Sequence, residues 1–337
     1  MAENKKNEVL IRVRGLKTWY PIKKGLLKKT AGYVKAVDDV DLEVYKGEIL
    51  GVVGESGCGK TTLGKSILQL IRPYEGQVIY GEGETGRDLM RMSKQELDQM
   101  RSRMQIVFQD PYSSLNPAFT IFKSMQEPLI RFGMKNKQER REKIAGLLQA
   151  VNLPAEYMER YPNEFSGGQR QRIGIARALS VSPEFIVCDE AVSALDVSIQ
   201  AQVLKLLKEL KDRYNLTYMF ITHDLSVVEY ISDRIVVMYL GHIVEVADTE
   251  ELFANTLHPY TQALLSAIPI ADINKRRKRI PLQGDVPSPV NPPAGCPFHP
   301  RCPKCREECK TKAPKPVAIE KDGRPHIVCC HQVRAAI

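Results

Sequence analysis

The stretch EILGVVGESGCGKTTLGKSILQLI, residues 48–71, reads as a buried strand, a glycine-rich loop and a helix that opens near Lys60. Residues 54–61 fit G-x-x-x-x-G-K-[ST], the spacing of a phosphate-binding loop. Gly54, Gly57 and Gly59 let the backbone turn so that consecutive N–H groups face inward, and the new helix adds its positive end to hold phosphate oxygens. Glu55, Ser56, Cys58 and Thr62 complete the loop, Cys58 through its backbone rather than its thiol. Lys60 supplies a mobile cation for β and γ phosphates, and Thr61 offers a hydroxyl to Mg2+, an ion that takes few protein ligands.

A second element follows downstream. Phe185, Ile186, Val187 and Cys188 form an apolar run that ends in Asp189 and Glu190. A strand end of that kind is ordinarily a solvated pair of carboxylates. Joined to a phosphate loop, it suits nucleotide hydrolysis: Asp189 holds the Mg2+ shell and Glu190 orients and polarises the attacking water, because phosphoryl transfer depends mostly on positioning and charge stabilisation.

Working outward, the 337 residues are 43% hydrophobic and 26% charged, with a mean hydropathy of -0.28, which excludes disorder throughout and a fibrous fold. Apolar runs such as IVVMYLG, residues 235–241, fall far short of the ~20 residues needed to cross a bilayer. The polar start MAENKKNEVL has no apolar leader region, so a cytosolic location is expected. The net charge of +9 admits nucleotide, nucleic acid or a membrane surface as anionic partners. The basic clusters at residues 23–29 and at Lys275, Arg276, Arg277, Lys278 and Arg279 read as solvated loops.

Alternating apolar runs and amphipathic segments continue to about Ala254, the texture of an α/β sheet protein. Within them, residues 111–180 are poor in strand patterns; in KQERREKIAGLLQAVNL, Ile144, Leu147, Leu148 and Val151 share one helix face, so a helical subdomain is expected. After His258 the prolines of QGDVPSPVNPPAGCPFHP rule out helix or central strand and read as a linker to a small cysteine-rich unit. Six of the eight cysteines (Cys296, Cys302, Cys305, Cys309, Cys329 and Cys330) crowd there, which in a reducing compartment argues for metal rather than disulfides.

FSGGQRQRIGIARAL, residues 165–179, resembles the signature motif of ABC-type ATPases. Ser166 can cap the helix that begins beside it, placing a hydroxyl and free N–H groups at a positive helix end. The resemblance implies an α/β P-loop NTPase fold of ABC ATPase type. Its parts are a RecA-like parallel-sheet core, an antiparallel β subdomain and the helical subdomain, with the small cysteine-rich C-terminal unit appended. It places the ATPase domain at residues 1–256 and the extension at 257–337. It also implies that Ser166, Gly167, Gly168 and Gln169 bind the γ phosphate held on another subunit's loop, in a head-to-tail dimer. Gln109 in VFQDP is similar to the glutamine that reaches Mg2+ and the water and senses the transmembrane partner. Ser193, Ala194, Leu195 and Asp196 match the loop that crosses the dimer interface, and His223 in FITHDL matches the switch histidine on the γ phosphate. Tyr20 in LKTWYPI matches the aromatic that stacks on adenine, with the adjacent Trp19 the alternative.

His258, Pro259 and Tyr260 resemble the motif that begins the extension of importer ATPases for dipeptides and oligopeptides, and the other motifs resemble the F-type subunit more than its D-type partner. The implied partners are a D-type ATPase subunit, two transmembrane permease subunits and, indirectly, an extracytoplasmic solute-binding protein. The implied place is the cytoplasmic side of the cell membrane, peripherally. Related chains carry Pro after the paired carboxylates, where this one has Ala191. Cys296, Cys302, Cys309 and Cys330 resemble the ligands of a [4Fe-4S] cluster in that family. Read from spacing, Cys302 and Cys305 also form a zinc knuckle that Cys309, Cys329, Cys330, His326 or His331 could complete.

A soluble ABC ATPase acting on nucleic acid is the competing function, but such proteins usually carry two ATPase units, and one phosphate loop and one signature occur here. Nucleic acid is therefore not expected as a partner. A regulatory module without turnover is disfavoured by the intact Glu190 and His223. Nickel chelates and glutathione are the alternative solutes, since selectivity lies in other subunits.

Overall fold

The computed structural model describes residues 8–25, 29–81, 86–110, 115–268, 279–319 and 324–333. Lys28, Pro111 at the head of the expected helical subdomain, and the basic run at Lys275, Arg276, Arg277 and Lys278 lie outside them. The described chain falls into two compact units. One holds Tyr45–Glu48 and Arg91–Ile221; the other holds the described residues of Glu8–Val44, Ile49–Met90 and Thr222–Ile337.

In the first unit three parallel strands lie in the order Met104–Val107, Phe185–Asp189, Thr217–Ile221. Phe185–Asp189 and Thr217–Ile221 are buried at every position, as expected of parallel strands covered on both faces, and register Phe185 with Thr217 and Asp189 with Ile221. Between residues 115 and 180 the described chain is helical without strands: Ile121–Arg131, Lys137–Ala150 and Gly167–Leu179, with short 3-10 turns between. Ile144, Leu147, Leu148 and Val151 are all buried, so the spacing read from sequence is the packed face. Asn136 starts that helix by accepting the Gln138 N–H on its side chain at 2.8 Å.

The second unit carries an antiparallel sheet in the order Lys29–Tyr45, Val9–Lys24, Glu75–Tyr80, Arg87–Asp88. Its other sheet runs Val317–Ile319, His326–Val328, His242–Asp248, Arg234–Tyr239, Ile49–Val53. Ile49–Val53 is wholly buried and parallel to Arg234–Tyr239; the remaining pairs are antiparallel. Two strands of the cysteine-bearing extension thus join the sheet that carries the phosphate loop. The extension also lends Cys296, Phe298 and Cys309 to the core cluster around Val237, Tyr239, Leu252 and Tyr260. A segment too short and proline-rich to bury a core of its own shares an existing one.

His326, on the added strand His326–Val328, is buried between two carboxylates, 2.9 Å from Glu245 and 3.3 Å from Glu251. Burial alone would lower its pKa, but the hydrogen bonds to the two carboxylates prevail and raise it. Among the described residues no helix is long and apolar enough to cross a membrane.

Candidate active site

The phosphate loop follows Ile49–Val53 and feeds the helix Lys60–Ile67, whose N-cap is Gly59 at φ 105° with no side-chain cap. A Ser or Asp cap would occupy the first N–H groups; glycine leaves them for an anion. A Cβ at Gly59 would stand 2.0 Å from the Ala36 carbonyl oxygen, and one at Gly54 2.2 Å from that of Met238. Both obstacles are backbone, so neither can swing aside. Gly59→Ala is therefore expected to abolish nucleotide binding, a loss of at least ~100-fold in affinity by titration with a fluorescent ATP analogue. Binding within ~3-fold of the parent would show that the loop's shape is not what admits phosphate.

Lys60 is buried, and its Nζ donates to the carbonyls of Gly54 (2.8 Å) and Glu55 (3.0 Å). The Glu55 N–H donates to the Tyr260 hydroxyl at 2.9 Å, and its carboxylate receives both terminal nitrogens of Arg301, at 2.6 and 3.1 Å. Neither partner of Glu55 is a site residue on the sequence reading: Tyr260 serves there as part of a family mark, and Arg301 is one cation in a cysteine-rich tail.

In the same unit Trp19 is built into the wall. Its ring stacks on Tyr74 with centroids 4.9 Å apart, Lys35 lies over it at 4.7 Å, and Nε1–H donates to Asp38 at 3.1 Å. Strand alternation sends Tyr20 to the other face, and it is 38% exposed. His223 is exposed just beyond Thr222, whose N–H donates to the Val52 carbonyl at 3.2 Å beside the phosphate-loop strand.

In the other unit Asp189 closes its strand, only 6% exposed, and Glu190 turns the chain at φ 49° with its N–H on the Ile221 carbonyl at 2.9 Å. Gln109 Nε2 donates to Glu190 Oε2 at 2.8 Å, so residues 81 positions apart meet. Ser166 caps Gly167–Leu179 in a reciprocal box: its Oγ accepts the Gln169 N–H at 3.4 Å, and Gln169 Oε1 accepts the Ser166 N–H at 3.0 Å. Gly168 lies where a Cβ would strike Ile199 at 2.4 Å, so this turn packs directly on the helix Val197–Tyr214. Asp196 caps that helix by accepting the Ile199 N–H at 3.0 Å and the Ser198 hydroxyl at 2.8 Å, which holds its carboxyl below the usual range. An open cleft of about 570 Å3 gathers Gln109, Ser166, Gly167, Gly168 and Asp196.

The cysteines are all free thiols. Burial, helped by the neighbouring Cys309, Cys330 and Cys302, raises the Cys296 thiol to about 11. Cys302 and Cys330, both partly buried, are raised chiefly by burial; Cys330, Cys305 and Cys309 raise Cys302 further, and Cys309 raises Cys330. Cys329, pushed up to about 11 by burial, has Cys330 alone among the cysteines. Among the described residues no group of three or more His, Cys, Asp or Glu forms a site able to hold a metal ion. His326 is taken up by Glu245 and Glu251, and His331 Nε2 lies 2.8 Å from the Lys312 carbonyl.

The family model for ABC transporters matches residues 37–193, and that for the oligopeptide/dipeptide transporter C-terminal region matches residues 244–309. The chain belongs to the ABC transporter family, as an ATP-binding, ATP-hydrolysing subunit that carries the oligopeptide/dipeptide transporter C-terminal region. It is 50% identical to the oligopeptide transport ATP-binding protein AppF of Bacillus subtilis, over 96% of this chain and 97% of that protein. To the dipeptide transport ATP-binding protein DppF of Haemophilus influenzae it is 48% identical, over 98% of each chain. Among solved structures it is similar to the ATP-binding cassette MJ0796 in a dimeric post-hydrolysis state with ADP and phosphate. That likeness has a TM-score of 0.61 and 29% identity, over 71% of this chain and 98% of that one.

Proposed function

We propose that this chain powers uptake of dipeptides or oligopeptides through two separate transmembrane subunits, working on the cytoplasmic face of the membrane beside a related D-type ATPase in a head-to-tail dimer. The peptide assignment is supported by what its relatives are named for and by the C-terminal region they share. The observation that carries ATP turnover is the Gln109–Glu190 hydrogen bond at the end of a buried strand. In this reading the ATPase domain spans residues 1–256 and the extension 257–337.

Tyr20 stacks on adenine; Trp19 is already committed to Tyr74 and Asp38. The N–H groups of residues 54–62 hold the phosphates, and Lys60 exchanges two loop carbonyls for phosphate oxygens. Thr61, Asp189 and Gln109 offer only oxygen donors, the set that suits Mg2+, which when bound neutralises phosphate charge. Glu190 takes the proton of the attacking water, with Gln109 fixing its carboxylate, and His223 contacts the γ phosphate. Ser166 to Gln169 and Asp196, around their open cleft, close on the nucleotide of the neighbouring ATPase. Uptake of labelled di- and tetrapeptides by cells from which the chain has been removed tests this. Uptake returns with the intact chain, and unchanged uptake without it refutes the assignment.

Cys296, Cys302, Cys309 and Cys330 are the proposed ligands of a [4Fe-4S] cluster, which would clip the extension together. The set rests on the resemblance of its positions to that family's cluster ligands, and a cube that seats each thiolate on its own iron tolerates wider spacing than the ~2.3 Å Zn–S shell of a single zinc. Purified without oxygen, the protein is expected to show a broad band near ~400 nm with about four irons per chain, both lost in Cys302→Ser. Colourless protein with about one zinc per chain would refute the cluster.

A further inference from the structure

We propose that Arg301, borne on the cysteine-rich extension, is a positioning residue of the ATP site: it cancels the charge of the Glu55 carboxylate and anchors the head of the phosphate loop. The inference rests on the reading of residues 54–62 as the ATP phosphate site.

Glu55 is the second residue of a loop built to receive a polyanion, and a free carboxylate there opposes phosphate. Arg301 meets it fork to fork, at 2.6 and 3.1 Å, with side chains 6% and 26% exposed. That bidentate geometry fixes direction as well as charge. The guanidinium is itself confined. It ends the short 3-10 turn His299–Arg301, one residue before Cys302, and lies 5.9 Å from the Tyr239 ring. Phe298, three residues upstream, packs edge-on to Tyr239 at 5.2 Å and against Tyr260 at 5.4 Å.

Tyr260 grips the same loop residue from its other side, accepting the Glu55 N–H at 2.9 Å, while the Glu55 carbonyl accepts from Lys60 at 3.0 Å. Amide, carbonyl and carboxylate of this one residue are therefore all held, two of them by groups beyond residue 256. The extension is thus a working part of the nucleotide site, and the order of the cysteine segment that carries Arg301 sets ATP affinity.

The test is fluorescent-ATP titration and steady-state ATPase kinetics on the purified full-length chain. Arg301→Gln is expected to raise the ATP Kd and KM by about tenfold with kcat within about twofold, since it leaves the hydrolytic residues alone. Adding Glu55→Gln to Arg301→Gln should return the Kd to within about threefold of the parent, because the exposed charge is gone; a packing defect would not be rescued. Two results overturn the proposal: an Arg301→Gln Kd within twofold of the parent, or a double variant as weak as Arg301→Gln. If Arg301→Gln does not fold, Arg301→Lys takes its place. It keeps the charge but loses the fork, and is expected to fall between parent and Gln; parental affinity in Arg301→Lys overturns the anchoring role. Lys60→Ala separates this from the underlying reading: it should abolish ATP binding whatever Arg301 does. Binding unchanged in Lys60→Ala would mean that the loop is not the phosphate site.

Discussion

Glu190→Gln is expected to lower ATP turnover by about 10²–10⁴-fold while ATP binding persists, so that the protein accumulates in an ATP-bound dimer. Glu190 directly follows a strand buried at every position and is held by its N–H on Ile221 and by Gln109 at 2.8 Å on Oε2. A glutamine of the same length can still offer an oxygen to Gln109, so local geometry survives while proton acceptance does not. Single-turnover hydrolysis and size-exclusion chromatography with ATP read the two effects. Turnover within about threefold of the parent would remove Glu190 from the role of base.

The second large effect belongs to Phe298. Its ring is 1% exposed and wedged among Tyr239, Tyr260 and His258, with centroids 5.2, 5.4 and 5.6 Å away. Phe298→Ala removes a buried ring from among Tyr239 of a strand and Tyr260 and the N-cap His258 of a helix, which costs ~3–5 kcal/mol, with the aromatic pairs included in that figure. Urea denaturation followed by protection of the phosphate-loop unit measures it. An extension that were merely appended would lose its own signal and leave that unit within ~0.5 kcal/mol of the parent.

What could be read from the linear order was whatever local spacing determines. The phosphate loop, the carboxylates after Phe185–Asp189 and the signature at residues 165–179 all stand where their motifs put them, because each is one strand–turn or turn–helix junction. The helix face of Ile144, Leu147, Leu148 and Val151 is likewise a matter of period. Gln109 came into the sequence reading only through resemblance, and its contact with Glu190 not at all, since nothing in either segment states that the two meet. Nothing local in sequence shows that Trp19 is held by Tyr33, Asp38 and Tyr74, which lie 14, 19 and 55 residues away. Val317–Ile319 and His326–Val328 have three residues each, too few for an alternating pattern to rise above their polar surroundings. Arg301 carries no local signal in sequence and His326 reads only as a candidate zinc ligand; both are buried against carboxylates that lie 246 and 81 residues away. Ala191 is buried at 2% in the turn after Glu190.

The sheet that carries the phosphate loop draws its strands from both ends of the described chain, Ile49–Val53 early and His326–Val328 late. During synthesis Ile49–Val53 waits for its partner Arg234–Tyr239 while everything between them leaves the ribosome. At ~5–20 residues per second that interval is on the order of 10–40 s. Arg91–Ile221, contiguous apart from Tyr45–Glu48, has all its own strands available sooner. The newborn chain therefore passes through a period in which Ile49–Val53, every side chain of which is buried in the finished protein, has lost neither its hydration nor its unpaired edge. A truncation before Arg234 would make that exposed state permanent, whereas loss of His326–Val328 removes a partner only from His242–Asp248 and Val317–Ile319.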